Sequence, residues 1–404
     1  MNNDRRVVVT GIGVVSSVGT GREDFWKAIL AGESGISPVS SLDTLAYKCH
    51  LGGEVRDFEP ARFIPKRKIK FLGRSSQLAI AASSLALEDA KLPYKNTVQK
   101  DMGVIVGTTT GERPLEELLS SWAKGGFKEV DRTKIFQASV NNISANVGIA
   151  FKARGVNYLI PTACAAGNYA IGCGFDLIRN GDLNFVLAGG ADAFSIFAFT
   201  GFQRIYAMSP DKVRPFDKNR KGMMQGEGSG MILLESYKSA IKRGADIYAE
   251  VLGYGLSCDA YHATAPDPKG IAKVMQKALA EAGLTYKDVD YISAHGTGTG
   301  PNDKAECTGI KEVFKERSKK VMVSSIKSML GHAMGAASAI EAAACSLAVK
   351  EDIAPPTINY ETPDPDCDID CVPNVARKAK IDVALNNGFA FGGNNACVVF
   401  GKIK

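Results

Sequence analysis

Cys164 stands in the part of the sequence whose residue types and spacing point most clearly to chemistry. Residues 156–160 predict a short buried strand, Pro161 and Thr162 end it, and small residues then begin a helix. A thiol in a first helical turn lies among unpaired backbone N–H groups at the positive end of the helix dipole. Both effects favour the thiolate, so Cys164 is a candidate nucleophile. On this stretch alone, a small buried residue filling a strand–helix joint is an equally good interpretation.

Two of the four histidines lie in unusual surroundings. His295 begins the run His-Gly-Thr-Gly-Thr-Gly, and His332 ends the run Lys-Ser-Met-Leu-Gly-His that starts at Lys327. His262 ends the run Cys-Asp-Ala-Tyr-His at 258–262, and we expect it to be peripheral. Near the end of the chain, two glycines follow Phe391, which would let the backbone approach a ligand closely and offer N–H groups.

The composition is that of an ordinary globular protein, with 404 residues, 45% hydrophobic and 23% charged. The net charge of +6 suggests an acidic partner without requiring nucleic acid. Nine scattered cysteines are typical of a reducing cytoplasm. We recognise neither a secretory signal nor an apolar run of membrane-spanning length, so the sequence predicts a cytoplasmic protein that does not bind membranes.

Strand-like and helical segments alternate along the chain, which favours an α/β fold. The second half repeats the first. Four segments recur in the same order, which indicates an internal duplication: residues 86–95 and 278–287, the turns 107–111 and 296–300, the strands 9–13 and 251–255, and the helix starts 164–167 and 332–335. We predict two α/β halves, residues 1–245 and 246–404, packed face to face. Cys164 and His332 would then occupy equivalent helix starts and converge on a shared cleft.

Other motifs carry less weight. The glycines at 11 and 13 lack the third glycine of a dinucleotide loop, with Ser16 in its place. A reductase is therefore disfavoured. Cys367 and Cys371 have atypical spacing and no second pair, so we expect a loop and no metal site.

Four motifs together resemble those of the β-ketoacyl-(acyl carrier protein) synthases of the decarboxylating, Cys-His-His type (the I/II class) in the thiolase superfamily. They are Thr-Ala-Cys at 162–164, His-Gly-Thr-Gly-Thr at 295–299, Lys-Ser-Met-Leu-Gly-His at 327–332 and Phe-Ala-Phe-Gly-Gly at 389–393. The resemblance covers essentially the whole chain. It implies a thiolase-like fold, in which the duplicated halves form a layered α-β-α-β-α sandwich, the N-terminal half carries the cysteine, and the C-terminal half carries the histidines, the lysine and a phenylalanine gate.

The resemblance also implies a reaction and a role for each site residue. Cys164 would hold an acyl chain as a thioester, and malonyl-carrier would lose carbon dioxide to give the attacking enolate. His295 and His332 would donate Nε2–H bonds to the enolate oxygen as neutral imidazoles, while the backbone N–H groups of Cys164 and Phe391 would form an oxyanion hole. Lys327 would be a fixed positive charge bonded to Glu306, and Phe391 would be a gate. Thr297 and Thr299 would bind the pantetheine arm. The substrate pocket would be lined by Phe389, Thr110 and Phe202.

The resemblance implies substrates carried on the phosphopantetheine of an acyl carrier protein, with no further cofactor. The basic residues Lys66, Arg67 and Lys70, with Arg62 and Arg74, would form the docking face for the acidic carrier. A homodimer, or a heterodimer with a paralogous ketosynthase or chain-length factor, is expected. Two alternatives remain open: a non-catalytic chain-length partner, which typically lacks the cysteine, and a degradative thiolase, which uses a second cysteine that Cys397 does not match.

Departures from the family pattern concern the substrate. Alanines follow Cys164 where fatty-acid enzymes often have hydroxyl residues, and Ala390 replaces a usual glycine. The loop that begins at Gly298 resembles polyketide synthase versions. The sequence therefore predicts the reaction and leaves open a fatty-acid, polyketide or aryl-polyene pathway.

Overall fold

The computed structural model describes residues 5–93 and 101–404. The strands are β1 Val7–Ser16, β2 Gly19–Thr20, β3 Ser37–Pro38, β4 Leu51–Gly52, β5 Met102–Gly107, β6 Asn157–Ile160, β7 Phe185–Asp192, β8 Gly228–Ser236, β9 Ala249–Cys258, β10 Tyr291–Ser293, β11 Met322–Ser324, β12 Ile353–Ala354, β13 Arg377–Lys378, β14 Val383–Phe389 and β15 Asn394–Gly401. The helices are α1 Arg22–Ala31, α2 Lys66–Ile69, α3 Arg74–Asp89, α4 Pro114–Gly125, α5 Arg132–Ala138, α6 Asn142–Phe151, α7 Ala166–Arg179, α8 Ile196–Arg204, α9 Tyr237–Arg243, α10 Pro268–Glu281, α11 Gly300–Phe314, α12 Lys327–Leu330 and α13 Ala337–Glu351. Tyr94 and Lys95, which end the first copy of the predicted repeat, lie outside the described residues.

The strand order confirms the predicted duplication. Among the described residues the main sheet has 11 strands, with β2 pairing β1 and the others in the order β11-β10-β14-β15-β9-β1-β8-β7-β5-β6. Read outward from the centre, β1-β8-β7-β5-β6 mirrors β9-β15-β14-β10-β11. The directions match as well: β5 runs parallel to β6 and β7, as β10 does to β11 and β14, and the remaining pairs of this path are antiparallel. The two halves meet where Val7–Val9 pair with Ala249–Val251.

Helix packing gives the five predicted layers. Helix α3 covers β1, β8 and β7 on one outer side, and α10 covers β9 and β15 on the other. Helices α7 and α13 pack against each other and against strands of both halves, so they form the middle layer. Helix α13 is buried along almost its whole length, as expected for a helix enclosed by two sheets.

The glycines of the two matched strands serve helix packing. A Cβ placed on Gly13 would lie 1.8 Å from the carbonyl oxygen of Ala82 in α3, and one on Gly255 would lie 2.4 Å from the carbonyl oxygen of Val274 in α10. Any larger residue would push the helix off the strand. These positions therefore need glycine for close packing, which agrees with the rejection of a dinucleotide loop.

Strand β6 differs from the sequence prediction. It was expected to be a buried strand, but it is the edge of the sheet, and Asn157 and Tyr158 are exposed on it. Leu159 and Ile160, which are partly buried, still pack against the core from this edge. Within the described residues, none of the helices is both long and apolar enough to cross a bilayer.

Candidate active site

Cys164 lies in a strained turn between β6 and α7. The chain leaves β6 at Ile160, forms a 3-10 turn over Ala163–Ala165 and continues directly as α7. Ala163 has a φ of 49°, a left-handed conformation that costs energy for a residue with a Cβ. The turn presents Cys164 in the first helical turn, as the sequence predicts, and the residue is only 7% exposed.

His295 follows strand β10, where a glutamate holds its backbone. Glu306 of α11 accepts hydrogen bonds from the backbone N–H of His295 at 2.8 Å and from that of Gly296 at 2.7 Å. Its carboxylate thereby fixes the point at which the chain turns away from the sheet. Asp303, one helical turn earlier, accepts from the N–H of Gly298 at 3.2 Å and holds the next part of the same loop.

His332 lies just before a second 3-10 turn, Met334–Ala336, which leads into α13. Its Nδ1 accepts a hydrogen bond of 3.2 Å from the backbone N–H of Met334. In a neutral imidazole, the proton must then be on Nε2. His332 is therefore oriented as an Nε2–H donor, the state that the resemblance implies.

The three side chains converge in one buried cluster. Ligand-type atoms of Cys164, His295 and His332 all lie within 4.8 Å of one another. The two imidazole rings meet edge to face at 5.3 Å between centroids, and the ring of Phe389 lies 5.9 Å from that of His295. The fold thus brings together residues separated by up to 168 positions (332 − 164) in the sequence.

Both histidines are neutral in this environment. Burial and the nearby positive charge of Lys327 lower the pKa of His295 and of His332 well below the ordinary value. For His295, the neighbouring His332 lowers the pKa further. Neutral imidazoles can donate to a developing oxyanion without carrying a charge of their own.

The cysteine differs from the expectation of a thiolate. Burial raises the pKa of the Cys164 thiol to about 12, and the negative charge of Asp192 acts in the same direction. Lys327 and the backbone of the turn lower that pKa but do not offset desolvation. Burial in a dry site therefore favours the thiol of Cys164 over the thiolate.

Lys327 has a different partner from the one that the resemblance implied. Its Nζ forms a short ion pair with Glu341 of α13, not with Glu306. Glu306 accepts hydrogen bonds from the two backbone N–H groups of the His295 loop, whereas Glu341 lies within ion-pair distance of the Lys327 ammonium. Both members of the pair are 2% exposed, so Lys327 is a fully buried cation. Burial raises the pKa of Glu341 to about 7, and Lys327 opposes that rise.

Phe391 begins the turn Phe391–Gly393 and is 40% exposed. Its ring contacts that of Phe202 of α8 at 5.5 Å between centroids. The turn is tied to the segment after β9, because Gly392 donates its N–H to the carbonyl of Ala263 at 2.8 Å. A half-exposed ring on a glycine turn is suited to movement, whereas Phe389 is buried and fixed.

A cavity of about 250 Å³ opens onto the cluster. Of the residues singled out in the sequence, it is lined by Cys164, Phe202, His262, His295, Thr297, Thr299, His332, Phe389 and Phe391. The hydroxyls of Thr297 and Thr299 lie 2.9 Å apart at the cavity wall.

Thr110 is not among the residues that line this cavity, and its hydroxyl donates to Asp192 at 2.9 Å. His262, which was expected to be peripheral, lines the cavity together with the segment that follows it. Its Nδ1 accepts from the N–H groups of Thr264 and Ala265, each at 3.1 Å. His262 comes soon after β9, and the last residue of β9, Cys258, pairs with Asn394 directly after the Phe391 turn.

The basic face is smaller than the sequence suggested. Lys66, Arg67 and Lys70 are exposed on and just after α2, and Arg62 is exposed nearby. Arg74 is instead half-buried and paired with Glu227 at 2.9 Å. It therefore belongs to the fold rather than to a free basic surface.

Comparison with known proteins decides the family. The N-terminal domain model of the β-ketoacyl synthases matches residues 4–240, and the C-terminal domain model matches residues 248–361. The chain belongs to the β-ketoacyl synthase family. The predicted family and its condensing reaction in fatty-acid or polyketide elongation are confirmed.

Individual relatives agree over the full length. The chain is 40% identical to 3-oxoacyl-[acyl-carrier-protein] synthase 2 of Synechocystis sp., with 99% of each chain covered. Among solved structures, the ishigamide ketosynthase/chain length factor is 44% identical with a TM-score of 0.96, covering 99% of this chain and 100% of that one. A ketosynthase bound to its type II PKS acyl-carrier protein and the hexaketide is 33% identical with a TM-score of 0.90, at the same coverage. These neighbours confirm the thiolase-like fold.

Proposed function

We propose that Cys164 carries the acyl chain and that His295 and His332 stabilise the enolate formed from malonyl-carrier. The observation that carries this proposal is the convergence of one thiol and two neutral imidazoles within 4.8 Å at the end of a cavity. A non-catalytic chain-length partner would not need this complete set. A degradative thiolase is disfavoured because Cys397 is buried within β15, away from the cavity lining.

In the first step, the sulfur of Cys164 attacks the carbonyl carbon of the acyl thioester. The carrier thiol leaves with the proton that the cysteine loses. The N–H groups of Cys164 and Phe391 would receive the transient oxyanion, since the first N–H groups of a helix have no partner within it. Because the resting Cys164 is protonated, deprotonation belongs to this step rather than to a preformed thiolate.

In the second step, the bond between the malonyl carboxylate and its methylene carbon breaks, and carbon dioxide leaves. The electron pair becomes an enolate, whose oxygen accepts hydrogen bonds from the imidazole N–H groups. The enolate carbon then attacks the acyl carbonyl, the C–S bond breaks, and the released thiolate of Cys164 takes up a proton from solvent. Lys327 supplies a fixed positive charge that keeps both imidazoles neutral.

The hydroxyls of Thr297 and Thr299 would bind the pantetheine arm. Their place on the cavity wall, in a loop held by Glu306 and Asp303, supports this role. Phe391, in contact with Phe202, would be the gate that moves when the cysteine is acylated.

The exposed residues Lys66, Arg67 and Lys70 would dock an acidic carrier protein, since complementary charges steer association. A relative of known structure binds an acyl-carrier protein, which supports a carrier as partner. A cytoplasmic location and the division at residue 245 remain predictions of the sequence.

We further propose that the chain pairs through the edge strand β6 with a second condensing-enzyme chain, either another copy or a paralogue. Tyr158 on that edge is 51% exposed, and Trp122, Phe127 and Phe136 from the α4–α5 region are 60%, 87% and 71% exposed. Apolar side chains on this scale mark an interaction surface. Light scattering of the purified chain should give twice 43.0 kDa for a homodimer, and recovery of activity only with a paralogue would indicate the heterodimer. A stable, active single chain would contradict both.

The decisive experiment uses purified protein with acyl-carrier and malonyl-carrier. We expect release of carbon dioxide and formation of β-ketoacyl-carrier, with condensation abolished in Cys164→Ala. Cys173→Ala, which removes another thiol on the helix that Cys164 precedes, is the matched control and should retain activity. Normal condensation by Cys164→Ala would show the assignment to be wrong.

A further inference from the structure

Asp192, at the end of β7, is a fully buried carboxylate that the reaction does not use directly. Its Oδ1 accepts from the hydroxyl of Thr108 at 2.6 Å and from both the N–H and the hydroxyl of Thr110 at 2.9 Å. Its Oδ2 accepts from the N–H of Thr109 at 2.7 Å and from the N–H of Gly335 at 2.6 Å. The last bond joins the N-terminal half to the turn that follows His332.

The two 3-10 turns are structural counterparts. Ala163 and Met334 begin them with the same unusual left-handed backbone, φ 49° and 52°, and each turn runs straight into a middle-layer helix. The structural partner of Cys164 is therefore Gly335. This corrects the sequence alignment, which paired Cys164 with His332, three residues earlier. The N–H of Gly335 is then the counterpart of the N–H of Cys164.

The strands agree with this equivalence. In one half Gly13 pairs with Met231, which pairs with Gly189, and in the other Gly255 pairs with Cys397, which pairs with Asn387. Asp192 comes three residues after Gly189, and Ala390 comes three residues after Asn387. Asp192 is therefore equivalent to Ala390, the residue just before Phe391. In the other half, the counterpart of the Cys164 N–H is the Gly335 N–H, which binds the Asp192 carboxylate, whereas the counterpart of the Phe391 N–H is that of Ala193, which donates to Ser75 at 3.1 Å.

We propose that Asp192 is a positioning residue for His332, an internal anion that binds the backbone N–H equivalent to that of Cys164 in the other half. The proposal rests on the function proposed above. By binding the N–H of Gly335, the carboxylate fixes the Met334–Ala336 turn, and the adjacent N–H of Met334 in turn holds Nδ1 of His332. The direction of the His332 Nε2–H bond therefore depends on Asp192.

The substitution Asp192→Asn tests this chain of contacts. Each carboxylate oxygen faces at least two donors, so the amide NH₂ group must oppose N–H or O–H groups in either orientation. We expect decarboxylation and condensation by pre-acylated enzyme to slow about tenfold or more, because small misplacements of a catalytic group have effects of that order. Acylation of Cys164 from acyl-carrier does not use His332 and should not slow, since its rate depends on the other turn and loss of the Asp192 charge removes one cause of the raised pKa of Cys164.

The two steps are measured separately, acylation by intact-protein mass spectrometry and the second step by release of labelled carbon dioxide. Glu235→Gln is the matched control. Glu235 is another fully buried carboxylate, bonded to Thr10 and Arg243 away from the His332 turn, and its loss should lower stability without changing the ratio of the two rates. Thr108→Val removes the shortest donor to Oδ1 but keeps the carboxylate. Thr108→Val should also slow the second step relative to acylation. It replaces Asp192→Asn as the test if that variant does not fold.

Equal slowing of the two steps in both variants, or no slowing, would overturn the role of Asp192. The proposed function fails differently: wild-type protein would then yield no β-ketoacyl product at all. A wild-type enzyme that condenses normally, with variants that lose both steps in parallel, refutes the positioning role alone.

Discussion

The pH dependence of Cys164 alkylation tests the electrostatics of the site most directly. Burial raises the pKa of this thiol from 9.0 to about 12. A rise of about 3 units corresponds to about 4 kcal/mol against the thiolate, since one unit is worth about 1.36 kcal/mol. At pH 8 the thiolate fraction would be about a thousandfold lower than for a thiol with the unshifted value. Alkylation of the resting enzyme by iodoacetamide should be slower by about tenfold or more, because only the thiolate reacts but the thiolate of a thiol with a higher pKa is the stronger nucleophile.

The assay follows Cys164 and Cys258 by peptide mass spectrometry in the same sample between pH 6.5 and 9.5. Cys258 is exposed and serves as an internal reference for the reagent. The rate at Cys164 should climb about tenfold per pH unit without levelling off, because the pKa lies above the measured range. Circular dichroism at each pH checks that the fold is intact. A rate that levels off below pH 8 would show a preformed thiolate and refute the argument that desolvation outweighs the helix terminus and Lys327.

Four further outcomes are expected. Lys66→Glu with Lys70→Glu should raise KM for carrier-bound substrates and leave small thioester analogues unaffected, and equal effects on both would contradict carrier docking. The two site imidazoles have pKa values well below 6.5, so kcat for decarboxylation should be flat from pH 6 to pH 8 and show no acidic limb near 6.5 from their protonation. Lys327→Met should lower the urea-derived free energy of unfolding at pH 8 by up to about 3–5 kcal/mol, because it strands the carboxylate of Glu341, and by less at pH 6, where Glu341 takes up a proton. Extended dialysis against EDTA should leave condensation unchanged if the Cys-His-His cluster works without a metal, and recovery of lost activity by added zinc would contradict this.

The sequence by itself predicted the reaction class, which is confirmed, and the candidate site residues. Cys164, His295 and His332 stand in motifs that are short and contiguous, so their identity can be recognised without coordinates. The duplication was also readable, because the glycines that let α3 and α10 pack on their strands recur at matching places. Each of these signals lies within a short stretch of the chain, so it can be recognised from the sequence without the fold.

Only the tertiary structure decided the partners of these residues and their protonation. Lys327 pairs with Glu341 rather than Glu306, because the fold brings Glu341 of the middle-layer helix α13 to the buried ammonium, a proximity that no spacing encodes. Burial favours the thiol of Cys164 over the thiolate, and desolvation depends on everything packed around a group. Likewise, the counterpart of Cys164 is Gly335, since backbone dihedral angles define the matching turn whereas the letters suggested His332. Strand β6 has an apolar sequence that fits a core strand equally well, and only the sheet order shows that it is an exposed edge.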